Sequence, residues 1–151
     1  MTPVLDELLT RRPHLQFVAE PGRYFVEAAF ALCSRIYKVR EEYSKDMMDT
    51  PHYHYYIAQG VQGVFKDTLL CGETFTPQPL RVASAGDPNI DSQQVYPSTV
   101  HGPSGEDYDQ VCQNVLLPRL QTGDWFVFDR MGAYTLSIAS RSGQPPVRYV
   151  W

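Results

Sequence analysis

The chain has 151 residues, which suits one domain with a core of ordinary size and falls short of two domains of typical length. Its net charge of −4, with basic residues scattered along the chain, gives no one-sided positive face and argues against a nucleic-acid partner. The apolar runs are short and lack a charged amino-terminal flank, so neither a membrane span nor a secretory signal is expected, and the expectation is a soluble, cytoplasmic protein.

The opening PVLDELLTRR places Val4, Leu5, Leu8 and Leu9 at helical spacing, with Pro3 suited to a helix start and Pro13 to its end. HLQFVAE then predicts a short strand. Helix followed by strand is the repeating unit of an α/β fold, yet it occurs once. In VEAAFA a turn or two of helix is predicted, and after it the signals are those of strands: HYHYYIA, GVFKDTLL, LRVAS, GDWFVFD, AYTLSIAS and VRYVW are each short, rich in β-branched and aromatic residues, and bounded by Gly, Pro, Asp or Ser. Residues 84–110 are rich in turn formers and predict a surface loop. The fold class is therefore mainly β with a helical start (α+β), the strands forming an antiparallel barrel or sandwich.

Cys33, Cys71 and Cys112 are odd in number and widely spaced, which fits reduced thiols. Cys33 and Cys112 are expected to be buried and unreactive, Trp125 and Trp151 to pack at strand ends, and KVREEYSKD to be a solvated strand end and its turn. His52 and His54, at i and i+2, would share one strand face, but with no third ligand nearby no metal site is assigned.

In VAEPGRYF an apolar run ends in Glu20, Pro21, Gly22 and Arg23, which sets a carboxylate and a guanidinium at one turn. Alone, this is a proline-glycine turn with a solvated charge. Three further stretches follow it in order: YYIAQGVQGVF, HGPSGEDYD and LPRLQTGDWFVFDRMGAYT. Together the four resemble the carboxy-terminal part of the eukaryotic ornithine decarboxylase family, from about His14 to Trp151. This is the ornithine/diaminopimelate/arginine decarboxylase group, fold-type III pyridoxal-phosphate enzymes with the alanine-racemase-like fold, which includes antizyme-inhibitor-like relatives. The GDW turn followed by MGAYT is the most specific part.

The resemblance implies that residues 1–23 are the last helix-strand unit of a (β/α)8 barrel and that 24–151 form a Greek-key-like C-terminal β domain. It implies pyridoxal 5'-phosphate as cofactor. Glu20 would hold the proton on the pyridine nitrogen, so that the ring accepts electrons, and Arg23 and Tyr134 would contact the phosphate, with Gly22 letting the backbone approach.

On the substrate side the pattern is altered. Gln62 stands where the family has tyrosine in GVYGSF, and Leu70 and Cys71 where it has Tyr-Asp. In the family's WGPxCD motif the cysteine donates a proton and the aspartate binds ornithine's distal amine; here those positions are Gly105 and Glu106. Gly105 cannot donate a proton. A slip of one or two residues would bring Asp107 or Asp109 to the acidic role. No lysine here matches the family's cofactor lysine, since Lys38, Lys45 and Lys66 fall in the β domain.

Three functions follow. The resemblance implies that the chain is part of a pyridoxal-phosphate decarboxylase of polyamine biosynthesis with altered substrate preference, expected to be inactive without a barrel supplied by the rest of a longer product or by a partner. Alternatively, it is a non-catalytic regulator like the antizyme inhibitors, or a β domain that only dimerises. The resemblance implies a head-to-tail homodimer or a barrel-bearing partner chain.

Overall fold

The computed structural model describes residues 3–44, 47–81 and 94–140. Helix α1 spans Pro3–Arg11, and two 3-10 turns follow at Gly22–Phe25 and Glu27–Ala29. Strands β1 (Leu32–Ser44) and β2 (Met47–Ile57) lead to a short helix α2 (Asp67–Cys71); β3 (Gln78–Leu80), β4 (Val95–His101), β5 (Gln110–Pro118) and β6 (Trp125–Phe128) complete the described elements. They form one six-stranded sheet in the order β3-β6-β1-β2-β4-β5, antiparallel throughout except for the parallel pair β2 and β4.

The sheet curls because β1 serves two sets of neighbours. Leu32–Arg35 pair with β6, whereas the strand from Ile36 onward pairs with β2. At the changeover the Ile36 amide donates to the Asp124 carbonyl (2.8 Å), and the Gly123 amide donates to the Ile36 carbonyl (2.9 Å). Asp124 also accepts the Gln121 amide on its carboxylate at 2.8 Å, closing the turn. The Gly-Asp-Trp sequence is thus the clamp on the bend in β1.

Inside the curl lies a core of Ile36, Tyr55, Ile57, Val61, Phe65, Val100, Phe126, Phe128 and their neighbours. Its aromatic rings meet edge to face, Phe65 against Phe128 at 4.7 Å and Tyr55 against Phe126 at 5.6 Å. Tyr55 is fully buried, yet its hydroxyl donates to the Pro118 carbonyl and accepts the Leu120 amide, both at 3.2 Å. Burial pushes its pKa up to about 12, so the hydroxyl stays a donor.

Several expectations are corrected. HLQFVAE forms no strand, because among the described residues no strand lies beside it to share backbone hydrogen bonds. GVFKDTLL is a turn and helix α2: the Gly63 amide donates to the Gly60 carbonyl (2.9 Å), turning the chain before it could extend. AYTLSIAS is a series of bends, broken by the positive φ of Tyr134 (53°).

The predicted loop of residues 84–110 hides β4, and β5 was not anticipated. Pro97 and the polar Ser98 and Thr99 mask β4, while Gln113 and Asn114 interrupt β5. Pro97 is tolerated because β2 joins β4 only from Ser98 onward, so at Pro97 the only strand neighbour among the described residues is β5. Cys33 is exposed on β1 rather than buried, whereas Cys112 is partly buried and burial pushes its thiol up to about 12. VRYVW, Trp151 and most of LRVAS lie outside the described residues. No described helix is long and apolar enough to cross a membrane.

Candidate functional site

The Met-Gly-Ala-Tyr-Thr segment leaves β6 and docks on the two 3-10 turns. The Met131 amide donates to the Phe30 carbonyl and the Gly132 amide to the Glu27 carbonyl, both at 2.9 Å. A Cβ on Gly132 would lie 1.7 Å from the Val26 carbonyl oxygen, so no other residue fits there. Met131 and Ala133 are buried, and the Thr135 hydroxyl donates to the Met131 carbonyl at 2.8 Å, closing the turn. Between them Tyr134 adopts φ 53°, a conformation costly for a bulky residue and sustained by this docking.

The result is that Tyr134 lies against the turn of Gly22 and Arg23. Its ring lies 5.4 Å from the Arg23 guanidinium carbon. Its hydroxyl lies 3.2 Å from where a Cβ on Gly22 would stand, and Gly22 has φ 56°. Arg23 and Tyr134, 111 positions apart in sequence, therefore form one corner with a guanidinium and a phenol, the phenol hydroxyl lying against the bare backbone of Gly22. Glu20, two residues earlier, is exposed.

Carboxylates surround the guanidinium. Arg23 donates from Nη2 to the Asp67 carboxylate at 3.0 Å, while its Nη1 lies 3.7 Å from Glu73 and 3.9 Å from Glu27. Glu27 also pairs with Arg130 at 3.0 Å, which raises the Arg130 pKa. These five side chains and Asp129 line a cavity of about 310 Å³. Tyr134 itself borders an apolar cavity of about 400 Å³, lined also by Phe30, Leu32, Val64, Met131 and Leu136. Phe17, Val18, Tyr24, Phe25 and Phe30, all from the segment leading into β1, are exposed.

The altered substrate-side residues fall into two places. Leu70 and Cys71 are exposed at the end of α2, the helix whose Asp67 holds Arg23. Gln62 instead faces the β4–β5 loop, sharing a cavity of about 250 Å³ with Pro103, Ser104 and Ser140. In that loop Gly105 (φ 72°) and Glu106 are exposed. Asp109 does not serve as an open acidic group: it is buried and accepts the Val61 amide (2.9 Å), the Ser104 amide (3.0 Å) and the Ser104 hydroxyl (2.8 Å).

A histidine pair was not foreseen, because it joins positions 47 residues apart. His54 Nδ1 and His101 Nε2 are 2.9 Å apart, one donating to the other, and His54 Nε2 lies 3.2 Å from the Glu42 carboxylate. The expected shared face of His52 and His54 is present, with rings 4.8 Å apart, and His52 bonds the Thr99 hydroxyl at 2.9 Å. Burial pushes His54 down to about 4, outweighing Glu42, and also lowers His101. Among the described residues no three His, Cys, Asp or Glu side chains are placed to share a metal ion.

Comparison with known proteins gives a consistent result. The family described as pyridoxal-dependent decarboxylase, C-terminal sheet domain, matches residues 17–132. Antizyme inhibitor 2 of Xenopus laevis is 34% identical, the match covering 99% of this chain and 33% of that protein. The chloroplastic ornithine decarboxylase of Nicotiana glauca is 36% identical, covering 90% of this chain and 30% of that one. The solved arginine decarboxylase of Paramecium bursaria Chlorella virus, bound to agmatine, superposes with a TM-score of 0.73 at 28% identity, over 93% of this chain and 35% of its own. The chain spans about a third of the length of these relatives.

Proposed function

The chain belongs to the pyridoxal-dependent decarboxylase family, whose C-terminal sheet domain it carries, and from that premise we propose that it is the sheet half of a decarboxylase-like protein. Residues 1–23 end a barrel and 24–151 form the sheet domain. The barrel and its cofactor lysine come from the rest of a longer product or from a partner chain, in a head-to-tail dimer, in the cytoplasm and in polyamine biosynthesis.

The corner of Gly22, Arg23 and Tyr134 is the sheet domain's contribution to a pyridoxal 5'-phosphate site. The observation that carries this is Tyr134 held at a positive φ with its hydroxyl against Gly22 and its ring beside Arg23. A guanidinium and a phenol can both donate to phosphate oxygens, and the missing Cβ of Gly22 lets the Tyr134 hydroxyl come up to the turn beside Arg23, so these residues fit a phosphate. Glu20 would keep a ring nitrogen protonated. When bound, the cofactor supplies the electron sink that decarboxylation requires.

On the substrate side Gln62, Cys71 and Glu106 make the contacts, with Gly105 unable to donate a proton, so ornithine is not the preferred substrate. The experiment joins the chain to a family barrel and records the visible absorbance of bound cofactor. The wild-type fusion should show the band, and Arg23→Met or Tyr134→Phe should weaken cofactor affinity about tenfold or more, the worth of one to two charge-assisted hydrogen bonds. A folded but colourless fusion overturns this function.

That outcome would favour a second function, a non-catalytic regulator, which Gly105 and the carboxylates around Arg23 support and which fits a relative named for inhibiting antizyme.

A further inference from the structure

Arg23 has a fixed fork of donors, and both of its terminal nitrogens already face carboxylates: Nη2 the Asp67 oxygen at 3.0 Å, Nη1 those of Glu73 at 3.7 Å and Glu27 at 3.9 Å. Asp67 is 6% exposed, so little water screens its charge. The cavity beside the corner is lined by four carboxylates, Glu27, Asp67, Glu73 and Asp129, against two guanidiniums, Arg23 and Arg130. An arriving anion therefore meets correct donors within a net negative field.

We propose that Asp67, with Glu27 and Glu73, forms a carboxylate lock on Arg23, which must give up at least one of these partners before the corner can take a phosphate group. This rests on Gly22, Arg23 and Tyr134 being a phosphate corner. The lock holds the corner to low affinity for phosphate monoesters, and neutralising any one of the three carboxylates opens it. Asp67 is its principal member, because it alone has a hydrogen-bonded contact to the fork and is the most buried of the three. The simpler alternative is that the same ion pairs only pin the 3-10 turn to α2, in which case their removal costs stability and leaves anion affinity unchanged.

The test titrates inorganic phosphate into the 151-residue chain and follows the amide resonances of Gly22, Arg23 and Tyr134. Asp67→Asn keeps the side chain's shape and removes its charge; Glu27→Gln does the same at a more accessible position and stands in should Asp67→Asn fail to fold. Each should tighten phosphate binding about tenfold or more over wild type, from the loss of one charge within several ångströms of the anion. Adding Arg23→Met to either should abolish the gain.

Equal, Arg23-dependent affinity in wild type and both variants would overturn the lock and leave the corner standing. Absence of binding in every folded variant would overturn the corner, and the lock with it.

Discussion

Asp109 is 2% exposed and accepts three hydrogen bonds, tying the turn after β2 to the turn after β4. Gly60 and Gly102 make room for it, since a Cβ on either would lie 2.2 or 2.3 Å from its carboxylate oxygens. The sequence offered Asp109 as a stand-in ligand for a substrate amine, because an aspartate in a loop reads the same whether its oxygens face a ligand or the backbone. Its role as an anchor depends on Val61, 48 residues away, which no local pattern reveals. Asp109→Asn replaces one acceptor with an amide donor facing a donor. It should lower unfolding stability by about 1–3 kcal/mol, read as a lower urea midpoint at unchanged slope, whereas exposed Glu106→Gln should move the midpoint by under about 0.5 kcal/mol. Arg23 and Tyr134, by contrast, were legible as a pair from their motifs. Their carboxylate surroundings were not, because Asp67, on α2, and Glu73, on the turn that ends it, lie 44 and 50 positions from Arg23.

Strand existence was legible where aromatic and β-branched residues cluster, as in β2 and β6, and illegible where polar residues face a packed neighbour, as in β4 and β5. The parallel pairing of β2 with β4 sets His54 beside Thr99 and brings His101 within reach of it. The pair holds as a neutral donor and acceptor, and the buried Nδ1 of His101 has no hydrogen-bond partner among the described residues. His54 has a folded-state pKa of about 4 against an ordinary 6.5, so between these values the unfolded chain binds a proton that the folded chain refuses. Stability should therefore be full above about pH 6.5 and fall as pH drops toward 4, by of order 2 kcal/mol from this group. Urea unfolding at pH 7.5 and pH 5 measures the difference. His54→Leu should shrink it, and an undiminished difference would mean that other groups carry the pH dependence.

The whole molecule pairs a well-packed curl with an exposed apolar approach to it. Val18, Tyr24 and Phe25 are 82%, 79% and 74% exposed, and Phe30 and Met131 line an apolar cavity. Burying each such side chain fully is worth about 1.5–3 kcal/mol, enough together to favour a second surface there. HLQFVAE reads as a strand by composition yet has no ladder among the described residues. Composition records what a segment can pair with and not whether a pairing partner is there, so helix α1 was legible and the missing ladder of HLQFVAE was not.

Hydrogen–deuterium exchange on the chain, alone and joined to a family barrel, tests most directly whether this is one half of a two-part fold. The account predicts that amides of residues 15–30 and 131–136 exchange at least about tenfold more slowly in the joined protein, while the β1–β2 core is unchanged. Identical exchange across 15–30 in both states would contradict it.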